Sequence, residues 1–485
     1  MTFPEISWLA LLPTLLVSGT AVIVLVADLW MEGPDREGLG WIGMVGLLIA
    51  AVASAMLWYT REAGFAGSFI IDRYAIFFNV LFCLAGGLTL LMSMDYLQTT
   101  DIRTGEYYAL VLFAVSGMLM MAAATDLIVI FLGLEVMSIA VYVLAGIWRR
   151  ELRSNEAALK YFLLGAFATG FLLYGIALIY GSCGTTNLAL VTQQLTKASG
   201  SQLHLALIGV AMLVVGFGFK VAAVPFHAWA PDVYEGAPTA ITALMAVGVK
   251  AAAFAAFARV FVHHFASIAA QWTTVLWVLA AVTMTVGNVV AISQRNIKRL
   301  LAYSSIAHAG YILVGLVAAS ETGGAAILYY LLVYGLMNLG AFAVIIALGR
   351  RGAPNESLDD YAGVGFTHPF LGFSMSVFML SLAGIPALAG FTGKFYLFSA
   401  AVQAGYVGLA LIGVLNSVIS MYYYVGVLVK MYMVERPESA GAIQAFTGRP
   451  YVLATLLVTT IGTVWLGLFP SWAFELARSA FRSLS

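Results

Sequence analysis

The sequence predicts an all-α polytopic membrane protein of about fourteen transmembrane helices, with two inverted five-helix repeats and broken helices 7 and 12. Three observations carry that expectation. Of the 485 residues, 62% are hydrophobic and only 9% are charged. At ~20 apolar residues per crossing, roughly fourteen spans take up nearly the whole chain. The apolar runs are bounded by charge, proline or glycine, and two of them are interrupted in corresponding places.

The expected spans are 8–30, 40–59, 73–95, 106–123, 125–147, 157–181, 205–230, 240–264, 271–293, 296–318, 323–349, 367–403, 406–433 and 450–470. The first is read as a retained helix, because Met1 to Ser7 contains Glu5 but no Lys or Arg, and a signal peptide needs a positive n-region. The longest loops, near 182–204, 350–366 and 434–449, are too short to be domains. The division is therefore 1–105 (three helices), 106–264 (helices 4–8), 265–433 (helices 9–13) and 434–485 (a loop and helix 14).

Loop charge sets the expected orientation. One side holds Arg36, Arg103, Arg149, Arg150, Arg153, Arg295, Lys298, Arg299, Arg350, Arg351, Lys430, Arg436 and Arg449; the other holds Arg61, Arg73, Lys197, Arg478 and Arg482. The larger set belongs in the cytoplasm, which puts both termini outside.

The seventh run carries Pro225 and Pro231, and the twelfth carries Pro386 between Gly384, Gly390 and Gly393. Proline frees a carbonyl and kinks a helix. Such backbone survives at membrane depth only against protein or a wet cavity, and a pair of broken segments points to an inverted repeat around an ion site. Seven and twelve differ by five, an odd number, which places the second copy upside down. The competing reading is two ordinary proline kinks.

Five ionisable residues lie in otherwise apolar stretches: Glu135, Lys160, Lys220, Lys250 and Lys394. A charge at bilayer depth costs at least ~2.5–3.5 kcal/mol, so such residues mark ion or proton pathways. Glu135 is the acid placed centrally in a span, whereas Asp28 and Asp126 are near span ends. Lys220, beside the first break, is its natural partner in an ion pair that is either a switch or a static brace. Lys250 and Lys394 have no acidic neighbour in their own spans, and desolvation disfavours an unpaired ammonium. Lys160 follows a basic loop closely enough to reach the surface, or to give Glu135 a second partner. His227, just past Pro225, and His308, in a run with Tyr303, Ser304, Ser305 and Tyr311, are relay candidates; packing histidines are the plainer alternative. His204, His263, His264 and His368 are near span ends and are expected to be inert.

Other chemistry has little support. Cys83 and Cys183 are too few for an iron–sulfur cluster and form no C-x-x-C pair. No dinucleotide fingerprint or phosphate loop appears, the net charge is zero, and no basic field suggests nucleic acid. Neither metal nor quinone binding is indicated.

Three blocks, FGFKVAAVPFHAWAPDVYEGAPT (217–239), NIKRLLAYSSIAHAGYI (296–312) and LSLAGIPALAGFTGKFYLF (380–398), resemble signatures of the antiporter-like subunits of respiratory complex I. The resemblance covers nearly the whole chain. It implies that Glu135 matches the family's fifth-helix glutamate, Lys220 the seventh-helix lysine, Lys250 the central eighth-helix lysine and Lys394 the terminal residue of the broken twelfth helix. His227 matches a histidine of the hydrophilic axis, and Lys160 a sixth-helix lysine of N-type members. Lysine rather than glutamate at 394, and about fifteen residues after the last span instead of a long lateral helix, favour the N-type paralogue, the bacterial counterpart of mitochondrial subunit 2, over the M and L types. The resemblance further implies a bacterial inner membrane. It puts NADH, FMN, iron–sulfur clusters and quinone on partner subunits, with the M and K subunits, the lateral helix of L and membrane lipids as neighbours.

The function expected is one proton channel of a redox-driven pump, linked electrostatically to its neighbours. A multi-subunit cation/proton antiporter, a membrane-bound proton-pumping hydrogenase and a non-conducting spacer are the alternatives.

Overall fold

Backbone amides in hydrocarbon must find partners within protein, and helices supply most of them. A computed structural model describes residues 7–31, 36–100, 102, 104–349, 355–435 and 449–484. Glu5, Arg103, Arg350, Arg351 and Arg436, used above, lie outside the described residues. Among the described residues, thirteen helices are long and apolar enough to cross a membrane.

Spans 1 to 6 are Trp8–Asp28, Glu37–Met56, Arg73–Gln98, Glu106–Ala123, Leu127–Ala145 and Leu152–Cys183. Span 7 is Gly200–Val221, continued after a break by the short helix Trp229–Gly236. Span 8 is Thr239–His264. Spans 9, 10 and 11 are Ala266–Ala291, Ile297–Val317 and Glu321–Leu348. Span 12 is split into Pro369–Ala383 and Ala389–Gln403, two halves of 15 residues each. Spans 13 and 14 are Val407–Met433 and Pro450–Leu468. Polar residues at several N-termini accept the orphan amides of the first turn: Asp72 from Ala75, Asp126 from Ile128, Asn296 from Lys298 and Arg299, and Ser320 from Gly323.

Spans 8, 10 and 11 form the interior. Their most apolar windows are 100%, 94% and 94% buried, against 28% for span 1 and 33% for span 13. A polar side chain on the inner three therefore has protein around it, not lipid. Close crossings hold neighbouring spans together. A Cβ at Gly117 would stand 2.6 Å from the carbonyl oxygen of Gly133, and one at Gly287 would stand 2.6 Å from the amide of Ala307. Spans 4 and 5, and spans 9 and 10, can approach only because glycine stands there.

Both expected breaks are present. In span 7 the helix ends at Ala222, whose φ of 59° is left-handed. The Val224 amide donates to Thr283 Oγ1 of span 9 at 2.9 Å, and Trp229 Nε1 donates back to the carbonyl of Phe219 at 3.0 Å. The Val224–Pro225 peptide is cis. In span 12 the helix ends at Gly384, φ 90°, and Ser381 Oγ accepts from the Gly390 amide at 3.0 Å. Borrowed donors and acceptors thus replace the missing helical bonds.

The loops depart from the expectation. An antiparallel hairpin pairs Glu62–Gly64 with Phe69–Ile71. The loop near 182–204 contains a helix, Leu188–Leu195, capped by Asn187. An amphipathic helix, Ser471–Arg482, follows span 14, with Ala473, Ala477 and Ala480 buried and Arg478 and Arg482 both paired with Glu321. Outside hydrocarbon the backbone is free to use strands and short capped helices. Span 6 starts five residues earlier than the apolar run, because Arg153 and Glu156 occupy its first turns. At 32 residues it is longer than a bilayer crossing requires.

Candidate functional site

Lys220 lies in the last turn before the span 7 break and is 2% exposed. The negative end of a half-helix favours a cation there. Its ammonium donates to Ser138 Oγ at 2.8 Å and to Tyr142 OH at 3.1 Å. It also faces the rings of Tyr142 and Tyr161, at 5.1 and 5.5 Å.

The expected Glu135–Lys220 ion pair is not formed. Among the described residues, no salt bridge joins them within 4.0 Å. Ser138 and Tyr142 stand three and seven residues after Glu135 on the same face of span 5, and they take the lysine instead. Glu135 is half-buried, with Oε1 enclosed and without a hydrogen-bond partner.

Lys250 is 1% exposed, on the fully enclosed span 8, directly after a π-helical turn at Met245–Val249. Its ammonium donates to the hydroxyl and the carbonyl of Ser305 on span 10. Span 10 continues the polar track. Ser304 Oγ bonds Tyr424 OH, which stands 3.0 Å from His308 Nε2; His308 Nδ1 lies 2.6 Å from Tyr330 OH. Tyr311, two turns after Ser304, accepts from Asn288 at 3.0 Å. Tyr303 is half-buried against the core.

Lys394, 3% exposed, closes the row. It donates to the carbonyls of Leu382 and Ala383, at 2.9 and 3.1 Å, and to Ser417 Oγ at 2.8 Å. Those carbonyls end the first half of span 12, so this lysine also sits at the negative end of a half-helix. Its ammonium lies 4.8 Å from the centre of the Tyr311 ring. Span 10 therefore touches Lys250 through Ser305 and Lys394 through Tyr311, six residues or ~9 Å apart along the axis. A cleft of ≈ 580 Å³ opens beside Lys394 between the second half of span 12 and span 13.

The other candidates fall off the row. Lys160 does not meet Glu135: it is 40% exposed and pairs at 2.7 Å with both Glu156 and Asp232. Asp232 also binds Arg299, and Arg299 binds Glu235. The charges surround Trp229–Gly236, at the end of the molecule where the basic loops gather. His227 is half-buried on the break, with no hydrogen bond to Lys220 or Lys250 among the described residues and with Nδ1 unpartnered. His264 is bonded to Thr192 Oγ1 near the end of span 8. Among the described residues, no cluster of His, Cys, Asp and Glu could hold a metal ion. Sequence reading missed Ser138 and Tyr142, although their spacing from Glu135 signals a shared face. It also missed Tyr330, Ser417 and Tyr424, for which no local signal exists.

Residues 124–420 match the family model for the membrane domain described as NADH:quinone oxidoreductase/Mrp antiporter. The NADH-quinone oxidoreductase subunit N of Trichlorobacter lovleyi is 48% identical over 99% of this chain and 98% of its own length. Among solved structures, a chain of respiratory complex I from Thermus thermophilus is 34% identical with a TM-score of 0.82, covering 96% of this chain and 99% of that one. A chain of the Mrp complex from a Dietzia species has a TM-score of 0.83 at 22% identity, covering 98% of this chain and 97% of that one, and so shares the fold. The buried lysine row, the two broken spans and these matches agree: the chain belongs to the NADH:quinone oxidoreductase/Mrp antiporter family, in its complex I subunit N group.

Proposed function

We propose that this chain is a proton-translocating membrane-arm subunit of an NADH:quinone oxidoreductase, and that protons cross it along Glu135, Lys220, Lys250, His308 and Lys394. The single observation that carries the path is span 10, whose side chains touch Lys250 at Ser305 and Lys394 at Tyr311. An ammonium surrounded by hydroxyls and carbonyls can hold a proton at Nζ and donate it along hydrogen bonds. Unpartnered buried atoms beside the row, Glu135 Oε1 and Tyr161 OH, are positions that water would satisfy. The antiporter reading has weaker support, since the Mrp likeness is one of fold.

The coupling is electrostatic. With Glu135 half-buried and apart from Lys220, a charge change in a neighbouring subunit can draw the carboxylate toward or away from the lysine. Approach keeps Lys220 protonated; withdrawal releases its proton toward Lys250. Electron transfer from NADH, through FMN and iron–sulfur clusters to quinone, takes place on partner subunits. The M and K subunits, the lateral helix of L and membrane lipids are the expected neighbours. The basic loops face the cytoplasm of a bacterial cell and both termini face the periplasm. Lys160 and His227 stand on the uptake side without carrying the path, and release is past Lys394.

The repeats are spans 4–8 and 9–13. Asp126 caps span 5 and bridges to Asn187, which caps a short helix after span 6. Asn296 caps span 10 and bridges to Ser357, which caps a turn of helix after span 11. Five spans separate the two devices, which puts them at opposite ends. The test of the path is Lys220→Ala and Glu135→Ala in the assembled complex. Proton transport per NADH oxidised falls in both. Wild-type stoichiometry in both would overturn the path.

A further inference from the structure

Span 8 carries a second buried cation that the row does not use. Arg259 stands nine residues beyond Lys250, or ~13.5 Å along the helix, toward the end opposite the basic loops. It opens the π-helical turn Arg259–His264, just as Lys250 follows the other such turn of the same span. π-helical turns are frequent at functional positions. Its partner is Asp72, the residue that caps span 3. The two side chains are 2% and 1% exposed.

The contact is bidentate. Arg259 Nη1 donates to Asp72 Oδ2 at 3.0 Å, and Nη2 donates to Oδ1 at 3.1 Å. Oδ1 also accepts the Ala75 amide at 2.7 Å. The guanidinium lies 4.8 Å from the centre of the Tyr74 ring, and Tyr74 OH donates to the carbonyl of Ala255 at 2.8 Å. That last bond crosses the stretch of span 8 between the two cations. Arg259 Nε is buried and unpartnered. Stability alone is a poor reason for such a pair, because well-packed apolar residues often serve as well or better.

We propose that Asp72 and Arg259 form a plug that closes the direct path from Lys250 to the far end of span 8, so that a proton on Lys250 leaves only toward His308 and Lys394. The chemistry suits that task. Guanidinium does not deprotonate in proteins, so it cannot pass a proton on as an amine can. Three N–H donors occupy the carboxylate, and the phenol is committed to a backbone carbonyl. A pump that lacked this closure would discharge its own gradient through the first repeat. The proposal rests on Lys250 being a proton carrier, as argued above.

The experiment uses the complete complex in sealed vesicles, with a pH gradient imposed in the absence of NADH. Asp72→Asn and Arg259→Gln are expected to shorten the lifetime of the gradient several-fold, while NADH:quinone turnover persists. Adding Lys250→Ala to Arg259→Gln is expected to restore the wild-type lifetime. Assembled Asp72→Asn and Arg259→Gln complexes that hold the gradient like the wild type overturn the plug and leave the row untouched. A leak that survives in the double variant overturns the route through Lys250. Should neither neutral variant assemble, Arg259→Lys decides: it keeps the charge but adds a titratable amine, so it is expected to leak, and a tight Arg259→Lys complex overturns the proposal.

Discussion

The ammonium of Lys394 lies 2.9 Å from the carbonyl oxygen of Leu382, at the open end of the half-helix that the span 12 break leaves behind. The lysine is thus both a candidate proton carrier and the cap of a helix. Lys220 holds the matching place before the other break, in the last turn of its half-helix. In each case a helix end supplies negative potential at the ammonium.

Lys394→Met separates the two roles. It keeps the length of the side chain and strands the carbonyl of Leu382, which costs about 1–3 kcal/mol when buried unpaired, while the carbonyl of Ala383 keeps the hydroxyl of Ser417 at 3.1 Å. The expected outcome is a complex with a lowered Tm, near-normal NADH oxidation and reduced proton transport. A variant that pumps at wild-type stoichiometry would remove Lys394 from the path.

Lys160→Ala is the contrasting case. Its two ion pairs are partly exposed, and such pairs are worth about 0–1 kcal/mol. Both stability and proton transport are expected to stay close to wild type, while Lys220→Ala loses transport. Vesicle acidification measured for the two variants side by side checks this.

Gly390→Ala tests the break itself. A Cβ there would overlap the carbonyl oxygen of Ser381, and backbone cannot yield as a flexible side chain does. Overpacking of this kind costs about 1–3 kcal/mol or more. The expected result is a sharp drop in assembled complex, seen as the amount recovered from membranes. Normal recovery would mean that the break is looser than the close approach implies.

The sequence made the rows of charge legible because a lysine in an apolar run is expensive whatever surrounds it. Lys220, Lys250 and Lys394 are all at most 3% exposed. The breaks were legible from Pro225 and Pro386 for a similar reason: proline removes a backbone donor in any context. What each charge touches was not legible. Ser138 displaces Glu135 as the partner of Lys220 by one turn of one helix, a choice fixed by how span 5 rotates against span 7. Tyr424 reaches His308 from span 13, more than a hundred residues away. Lys160 looked like a membrane residue because the apolar run begins near it. The helix itself starts at Leu152, which leaves Lys160 level with Glu156 and Asp232.

Tyr424 is the sharpest test of the span 10 track. Its hydroxyl meets both Ser304 Oγ and His308 Nε2, so Tyr424→Phe breaks two links while keeping the ring that fills the interior. His308→Ala removes one of the same links from the other side. If protons move from Lys250 to Lys394 along this track, the two substitutions interrupt one series element. Each alone then lowers proton transport, and the double variant is scarcely worse than the more severe single one, with a coupling energy of about 0.5–3 kcal/mol. Independent structural roles predict additive losses. Proton transport per NADH measured for the two singles and the double variant decides, and additivity would place the route elsewhere than on span 10.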